Sequence, residues 1–263
     1  MTAEPPAMTV AEAAGILLDA ESSGSEIAPL TDRWHDLDIA TAYEVQAETL
    51  RRRLARGEHV VGVKLGLTSV AKQRTMGIDR PILAWLTDAM VLSAGEQMGA
   101  GLIHPRVEPE IVFVLAHRLA GPGVTAAQAL SAVGSVCAGF EVIDSRFAGF
   151  RFKLPDVVAD NASSAQLVLG PISVTPGALD LSLEACLFSV NGEVIDSATG
   201  AAVQGHPAQA LALAANTLAE RGIALQAGWI VLTGGMTDAA PMPPGSSAVA
   251  EFTHLGTIAL SAR

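Results

Sequence analysis

From residue 60 onward the chain is cut into short β-rich runs, and this punctuation constrains its fold more than any other feature. The runs are Val60 to Leu67, Glu110 to Leu115, Ala138 to Asp144, Gln166 to Leu169, Leu183 to Val190, Trp229 to Thr233 and Ala248 to Thr253. Helical patterns interrupt them twice. Thr125-Ala126-Ala127-Gln128 is a capping box opening a short helix, and Pro207 opens a helix expected to run to Arg221 and stop at Gly222. Asn191-Gly192 joins two strand-like runs as a two-residue hairpin. The first 60 residues read differently. Thr9-Val10-Ala11-Glu12 is another capping box, and a second helix starts near Asp38. That helix ends in Arg51-Arg52-Arg53 and Arg56 before Gly57, which reads as a solvated, dipole-compatible helix end. No repeat, low-complexity tract or linker divides the chain. It is expected to be one mixed α/β unit, with a helical section over 1–60 and a β-rich core over 61–263.

Composition removes several function classes. Half of the 263 residues are apolar and 16% are charged, enough for a sizeable core and too apolar for a disordered chain. A net charge of -11 offers no basic field for nucleic acid or anionic lipid. No apolar stretch approaches the roughly 18 residues of a membrane span. Glu4, Pro5 and Pro6 do not resemble a secretory signal. Cys137 and Cys186 read as small buried hydrophobes in a reducing cytosol. Phosphate-loop, dinucleotide, nucleophile-elbow and HExxH motifs are absent. The six histidines show no metal-ligand spacing, and His104 and His206, each before a proline, read as structural or partly exposed, with contact to substrate as the other reading.

The chemistry concentrates in a few charges set among apolar residues. In His104-Pro105-Arg106-Val107-Glu108-Pro109-Glu110-Ile111, Glu108 and Glu110 project to one side of a strand. Such a pair either reaches water at a strand end or needs a cation to offset repulsion near the core. Glu141 lies in a second apolar strand, as an ion-pair partner, a protonated carboxyl or a third ligand. Three glutamates on two strands make an all-oxygen site suited to Mg²⁺ or Mn²⁺. Asp144 and Arg146 share the opposite face and read as a structural pair. Lys64 is one of only three lysines, against thirteen arginines. Its same-face neighbours Gly62 and Gly66 leave room for a ligand, so it could bind a carboxylate or act as an acid/base, unless it is an edge lysine reaching solvent. Gly66-Leu67-Thr68-Ser69 could hold an anionic group. Asp160-Asn161-Ala162-Ser163-Ser164 is turn chemistry or a site wall. The loop around Asp79, Arg80 and Pro81 is a lid or a surface turn.

These same segments, in unchanged order over roughly residues 40 to 260, resemble the hydratase/decarboxylase family of aromatic meta-cleavage pathways, within the fumarylacetoacetate hydrolase superfamily. The resemblance implies a mixed α/β fold, a β-roll core with peripheral helices. It implies Mg²⁺ held by Glu108, Glu110 and Glu141, with Mn²⁺ as the other hard cation, and Lys64 as the catalytic residue near the substrate's reacting end. Gly66, Leu67, Thr68, Asp160 and Ser163 are the expected substrate-binding residues. The implied substrate is a small 2-oxo dicarboxylic acid, 2-oxo-3-hexenedioate, decarboxylated to 2-hydroxypenta-2,4-dienoate through a dienolate that the metal stabilises. The family's other reaction is hydration of that product to 4-hydroxy-2-oxopentanoate. Phe150 to Val158 and Thr233-Gly234-Gly235-Met236-Thr237 favour the decarboxylase side. A non-catalytic supporting subunit is a further alternative, as is carbon–carbon hydrolysis, for which no His/Glu dyad is identified. Arg146, Arg151 and Lys153 are candidates for the distal carboxylate. A cytoplasmic homo-oligomer is expected, and a complex with a paralogous hydratase would suit the unstable dienol.

Overall fold

The computed structural model describes residues 8–68, 73–74, 78, 81–93 and 95–263. Glu4, Pro5, Pro6, Ser69, Asp79 and Arg80 lie outside the described residues, and with them most of the 79–81 loop.

The N-terminal section folds as its caps dictate. The Thr9 hydroxyl accepts the Glu12 amide at 3.2 Å while the Glu12 carboxylate accepts the Thr9 amide at 2.8 Å, opening α1 (Val10–Ser23). Asp38 accepts the Thr41 amide at 2.7 Å and opens α2 (Ile39–Ala55). The arginine run at the end of α2 is not uniformly solvated. Arg51 and Arg52 do pair with Glu48 on the outside. Arg53 instead turns inward, is 9% exposed, and ties Glu21 of α1 to Glu58. Helical spacing puts Arg53 on the packed side of α2, and two carboxylates compensate its burial.

The core strands are β1 (Val60–Gly66), β2 (Ile82–Thr87), β3 (Val91–Leu92), β4 (Arg106–Leu115), β5 (Val133–Ile143), β6 (Ser164–Val174), β7 (Ala185–Val190), β8 (Glu193–Thr199), β9 (Ile230–Leu232), β10 (Ala240–Pro241), β11 (Ser247–Phe252) and β12 (Gly256–Ser261). Among the described residues, the helices with defined bounds that lie among them are α3 (Ala126–Ser131), α4 (Leu154–Ala159) and α5 (Pro207–Ala219). The capping box at Thr125 is formed. His206 is the N-cap of α5, its Nδ1 accepting the Ala208 amide at 3.0 Å. That helix ends two residues before the expected Arg221, and Gly222 takes a left-handed φ of 69° in the turn that follows. Asn191 and Gly192, both with positive φ, turn β7 into β8.

Among the described residues the strands form two sheets. The larger runs β2-β1-β9-β4-β5-β6-β3, with β10 also on β4, and the smaller runs β12-β11-β7-β8. The main core lies between them and α5. Ile111, Phe113, Phe140 and Val142 meet Phe188, Ala248, Ala250 and Leu260 there, with the Phe140 and Phe188 rings 5.9 Å apart. A second cluster packs α1 and α2 on β2 and α4. Both cysteines are buried and free, and burial pushes the thiols up, to about 11 for Cys137 and about 12 for Cys186. No helix among the described residues is long and apolar enough to cross a membrane.

Candidate active site

Strand parity divides β4. Val107, Ile111 and Phe113 enter the main core, so Arg106, Glu108, Glu110 and Val112 take the other face. On β5 the same rule turns Glu141 to that face. The register sets Glu108 directly across from Glu141, and Glu110 across from Gly139. Like charges side by side are unfavourable in a ladder. Here two of the three are also withdrawn from water, with Glu110 0% and Glu141 1% exposed, while Glu108 is half-buried.

The space for this cluster is made by the short β9. It pairs with both β1 and β4 and stops at Leu232, level with Lys64 and Val112. Beyond that point no strand among the described residues fills the gap between β1 and β4, and the next residues close its floor. Thr233 Oγ1 donates to the Ile111 carbonyl at 2.7 Å, and the Gly234 amide donates to Glu110 Oε2 at 2.8 Å. Gly234 has φ 114°, and a Cβ there would stand 2.2 Å from Thr68 Oγ1. A Cβ on Gly235 would stand 2.6 Å from Glu108 Oε2. The glycine pair is therefore what lets this chain pass under the carboxylates.

Lys64 crosses the gap. Its Nζ lies 3.0 Å from Glu141 Oε1 and 3.2 Å from Oε2, with both side chains buried. In a flat sheet three strand spacings would part β1 from β5 by about 14 Å. The contact thus reports how strongly the sheet curls. Ser164 Oγ also donates to Glu141 Oε1 at 3.4 Å.

These donors fit a hard divalent cation. Carboxylate oxygens of Glu108, Glu110 and Glu141 all lie within 4.8 Å of one another. Glu110 Oε1 is buried without a hydrogen-bond partner. Burial, then the neighbouring Glu141 and Glu108, pushes the Glu110 carboxyl well above its ordinary 4.5. Burial also raises Glu141, which Lys64 pulls back only in part. Ionised together, three carboxylates and one ammonium carry two excess negative charges, which a divalent cation cancels.

A cavity of about 440 Å³ opens over this centre. Lys64, Glu108, Gly66, Leu67, Thr68 and Ser163 all line it, so six of the nine residues expected at the site share its wall. Glu110 and Glu141 sit behind that wall. The ninth, Asp160, is placed elsewhere. Its carboxylate pairs with Arg146, accepts the Arg146 amide at 3.2 Å and the Ser163 hydroxyl at 3.3 Å, and does not line the cavity. Burial pushes Asp160 up to about 6, against the pull of Arg146. The expected pairing of Asp144 with Arg146 is thereby corrected. Arg146 reaches only the Asp144 backbone carbonyl, while the Asp144 carboxylate accepts the Ile103 and His104 amides, each at 2.8 Å. Gly62 is also corrected: a Cβ there would meet the Ile230 carbonyl at 1.9 Å, so it admits β9, not a ligand.

Other wall residues had no role assigned from sequence: Ile82, Arg106, Ile143, Phe152, Asp238 and Ala239. The turn that carries Ser163 is unusual. Asn161, Ala162 and Ser163 all have left-handed φ, between 50° and 58°. Asn161 holds it by donating to and accepting from the Trp85 backbone, both at 2.9 Å. Consecutive non-glycine residues in that region store strain, which is characteristic of functional sites.

No family model matches the chain. A 4-oxalocrotonate decarboxylase of Pseudomonas sp. (strain CF600) is 43% identical over 241 residues, 91% of either chain. A 2-hydroxypent-2,4-dienoate hydratase of Pseudomonas putida is 44% identical over 200 residues, 75% of this chain and 90% of that one. Among solved structures, 4-oxalocrotonate decarboxylase from Pseudomonas putida G7, complexed with magnesium and adipate, superposes with a TM-score of 0.94 at 38% identity over 97% of both chains. A fumarylacetoacetate hydrolase from psychrophilic Exiguobacterium antarcticum shares the fold, with a TM-score of 0.60 at 16% identity over 78% of this chain and 76% of that one.

Proposed function

Because the chain belongs to the hydratase/decarboxylase family of the fumarylacetoacetate hydrolase superfamily, we propose that it is a divalent-metal-dependent carbon–carbon lyase. It takes 4-oxalocrotonate, 2-oxo-3-hexenedioate, to 2-hydroxypenta-2,4-dienoate and CO2. The observation that carries this reading is the meeting of Glu108, Glu110 and Glu141 beside Lys64, around the unpartnered Glu110 oxygen. Glu108, Glu110 and Glu141 would hold Mg²⁺, with Mn²⁺ the other hard cation of suitable chemistry. When bound, the cation supplies a Lewis acid toward the C1 carboxylate and 2-oxo oxygen of the substrate.

The chain's own residues do the rest. The C5–C6 bond breaks, CO2 leaves, and its electron pair passes through C4 and C3 to the 2-oxo oxygen. Lys64 Nζ faces that oxygen with an N–H and supplies the proton that ends on it, so no carbon atom has to be protonated. Glu141 pairs with the ammonium and aims it. The backbone and hydroxyls from Gly66 to Thr68, with Ser163, grip the carboxylate end. Asp160 acts through Arg146 and Ser163 as a positioning residue.

The alternative is hydration of 2-hydroxypenta-2,4-dienoate, supported by the hydratase relative at 44% identity. It starts from the same dienol and uses the same metal end. The intact constellation of three glutamates and Lys64 argues against a purely supporting subunit. A homo-oligomer, and a complex passing the dienol to a hydratase, belong to this proposal. Exposed Leu183, Val194 and Ile195 around the β7–β8 hairpin offer apolar surface for either.

The test follows purified protein with 2-oxo-3-hexenedioate by ultraviolet absorbance and CO2 release, with Mg²⁺ and with a chelator. Mg²⁺-dependent CO2 release is expected. No CO2, with Mg²⁺-dependent loss of 2-hydroxypenta-2,4-dienoate, would move the assignment to the hydratase.

A further inference from the structure

The far end of the cavity carries a cation to which the sequence reading gave no role. Arg106 follows the parity of Glu108 and Glu110 on β4 and lines the cavity wall. Two residues along a strand place it about 7 Å from Glu108, close to the C1-to-C6 span of an extended hexanedioate. Its guanidinium carbon sits 4.1 Å from the centre of the Phe150 ring, whose other neighbour is the His104 ring at 4.7 Å. Phe150 has a left-handed φ of 57°, so its backbone is strained into this position. Among the described residues no carboxylate forms an ion pair with Arg106, although it is half-buried. The three cations expected for this task are excluded by placement. Arg146 is buried on Asp160, while Arg151 and Lys153 are exposed and off the cavity wall.

We propose that Arg106, stacked on Phe150, is the specificity determinant that recognises the second carboxylate of a dicarboxylic 2-oxo acid. The inference deepens the proposed function and rests on it for the identity of the natural substrate. It also resolves a conflict in decarboxylation, where a tight salt bridge to the leaving carboxylate would stabilise the ground state and slow the loss of CO2. Arg106 stands where the reaction cavity meets a second cavity of about 480 Å³, and both share Arg106 and Phe150 as wall. Its charge is spread over the aromatic face and open to that second space, so its pull on a carboxylate is screened. It selects and orients the diacid without locking the carboxylate that must leave.

The experiment measures calorimetric binding of adipate and of hexanoate to the Mg²⁺-loaded protein, with turnover of 2-oxo-3-hexenedioate alongside. The wild type is expected to prefer the diacid. Arg106→Gln should weaken adipate about 10- to 100-fold, the range for a lost charge-assisted contact, and leave hexanoate unchanged. Turnover should show the loss in KM, with kcat altered by less than about threefold. Arg106→Lys should restore part of the preference and guards against a glutamine variant that fails to fold. An undiminished adipate preference in Arg106→Gln overturns the inference, as does equal loss in the lysine and glutamine variants. Wild-type protein that prefers adipate yet releases no CO2 would sink the decarboxylase reading and leave Arg106 as the diacid receptor. CO2 release with no effect of Arg106→Gln on the preference would do the reverse.

Discussion

Glu110 is the side chain whose burial makes least sense without a ligand. It is wholly buried, its Oε1 has no partner, and its neighbours include two more carboxylates. Glu110→Gln should therefore remove a burden from the metal-free protein. In chelator the variant is expected to melt above the wild type, by about 1–3 kcal/mol in stability. With Mg²⁺ the order reverses, because the variant should lose both the heat of metal binding and turnover. Wild-type-like Mg²⁺ binding would take Glu110 out of the centre. Lys64→Ala should lower kcat by about 10²–10⁴-fold, as expected for a lost proton donor. A change confined to KM would make Lys64 a binding residue instead. The glutamates and the lysine were legible in the sequence because a charge in an apolar strand has few inexpensive fates. Asp160 was not, since a polar loop does not announce which arginine its carboxylate will meet. Arg106 had the right parity but no mark of the cavity it faces.

At the scale of elements, the turn after β9 matters as much as any strand. Gly235→Ala would push a methyl group onto Glu108 Oε2. It should weaken Mg²⁺ binding at least about tenfold, in line with lost support around a metal ligand. Titration calorimetry of the variant against Mg²⁺ checks this, and undisturbed affinity would contradict it. Arg146→Met addresses the neighbouring wall. It leaves Asp160 buried without its cation and should cost about 3–5 kcal/mol near neutral pH. The pH dependence has a definite sign. A carboxyl raised from 3.8 to about 6 in the fold contributes stability below 3.8 that is lost as pH rises through about 6. Removing Arg146 lifts the upper end of that window. The deficit in denaturant melts should thus be small near pH 4 and grow toward pH 7; a pH-independent deficit would show that the pair is not coupled this way. Capping boxes, the Asn191-Gly192 hairpin and the main strands were readable because each is a local signal. β2 escaped notice because Ile82-Leu83-Ala84-Trp85-Leu86-Thr87 shows no alternation of apolar and polar residues. The left-handed turn at Asn161 to Ser163 is imposed by Trp85 across the fold, which no local rule supplies.

For the whole molecule, the excess negative charge at the centre is part of a net charge of -11. Cation binding should therefore be visible as global stability. At about 100 times its Kd, Mg²⁺ adds about 2.7 kcal/mol, which for a chain of this size is about 5–10 °C in Tm. Melts in chelator and in Mg²⁺ read this directly, and coincident curves would mean that no cation is bound. The family and the mixed α/β core were legible across the chain, since the site segments keep their order. The curl of the sheet was expected only through the family resemblance, which implied a β-roll, because strand periodicity carries no sign of it.

The three-residue β9 gives that curl a consequence for how the protein is made. Lys64, Glu108, Glu110 and Glu141 are all translated before the strand that sets β1 beside β4, which spans only Ile230–Leu232. A growing polypeptide thus carries its repelling acids for most of its synthesis without the neighbour that brings the lysine to them. Ribosome-bound intermediates halted before residue 230 should have no high-affinity ion site, so the ion is a ligand of finished chains and rewards only complete translation.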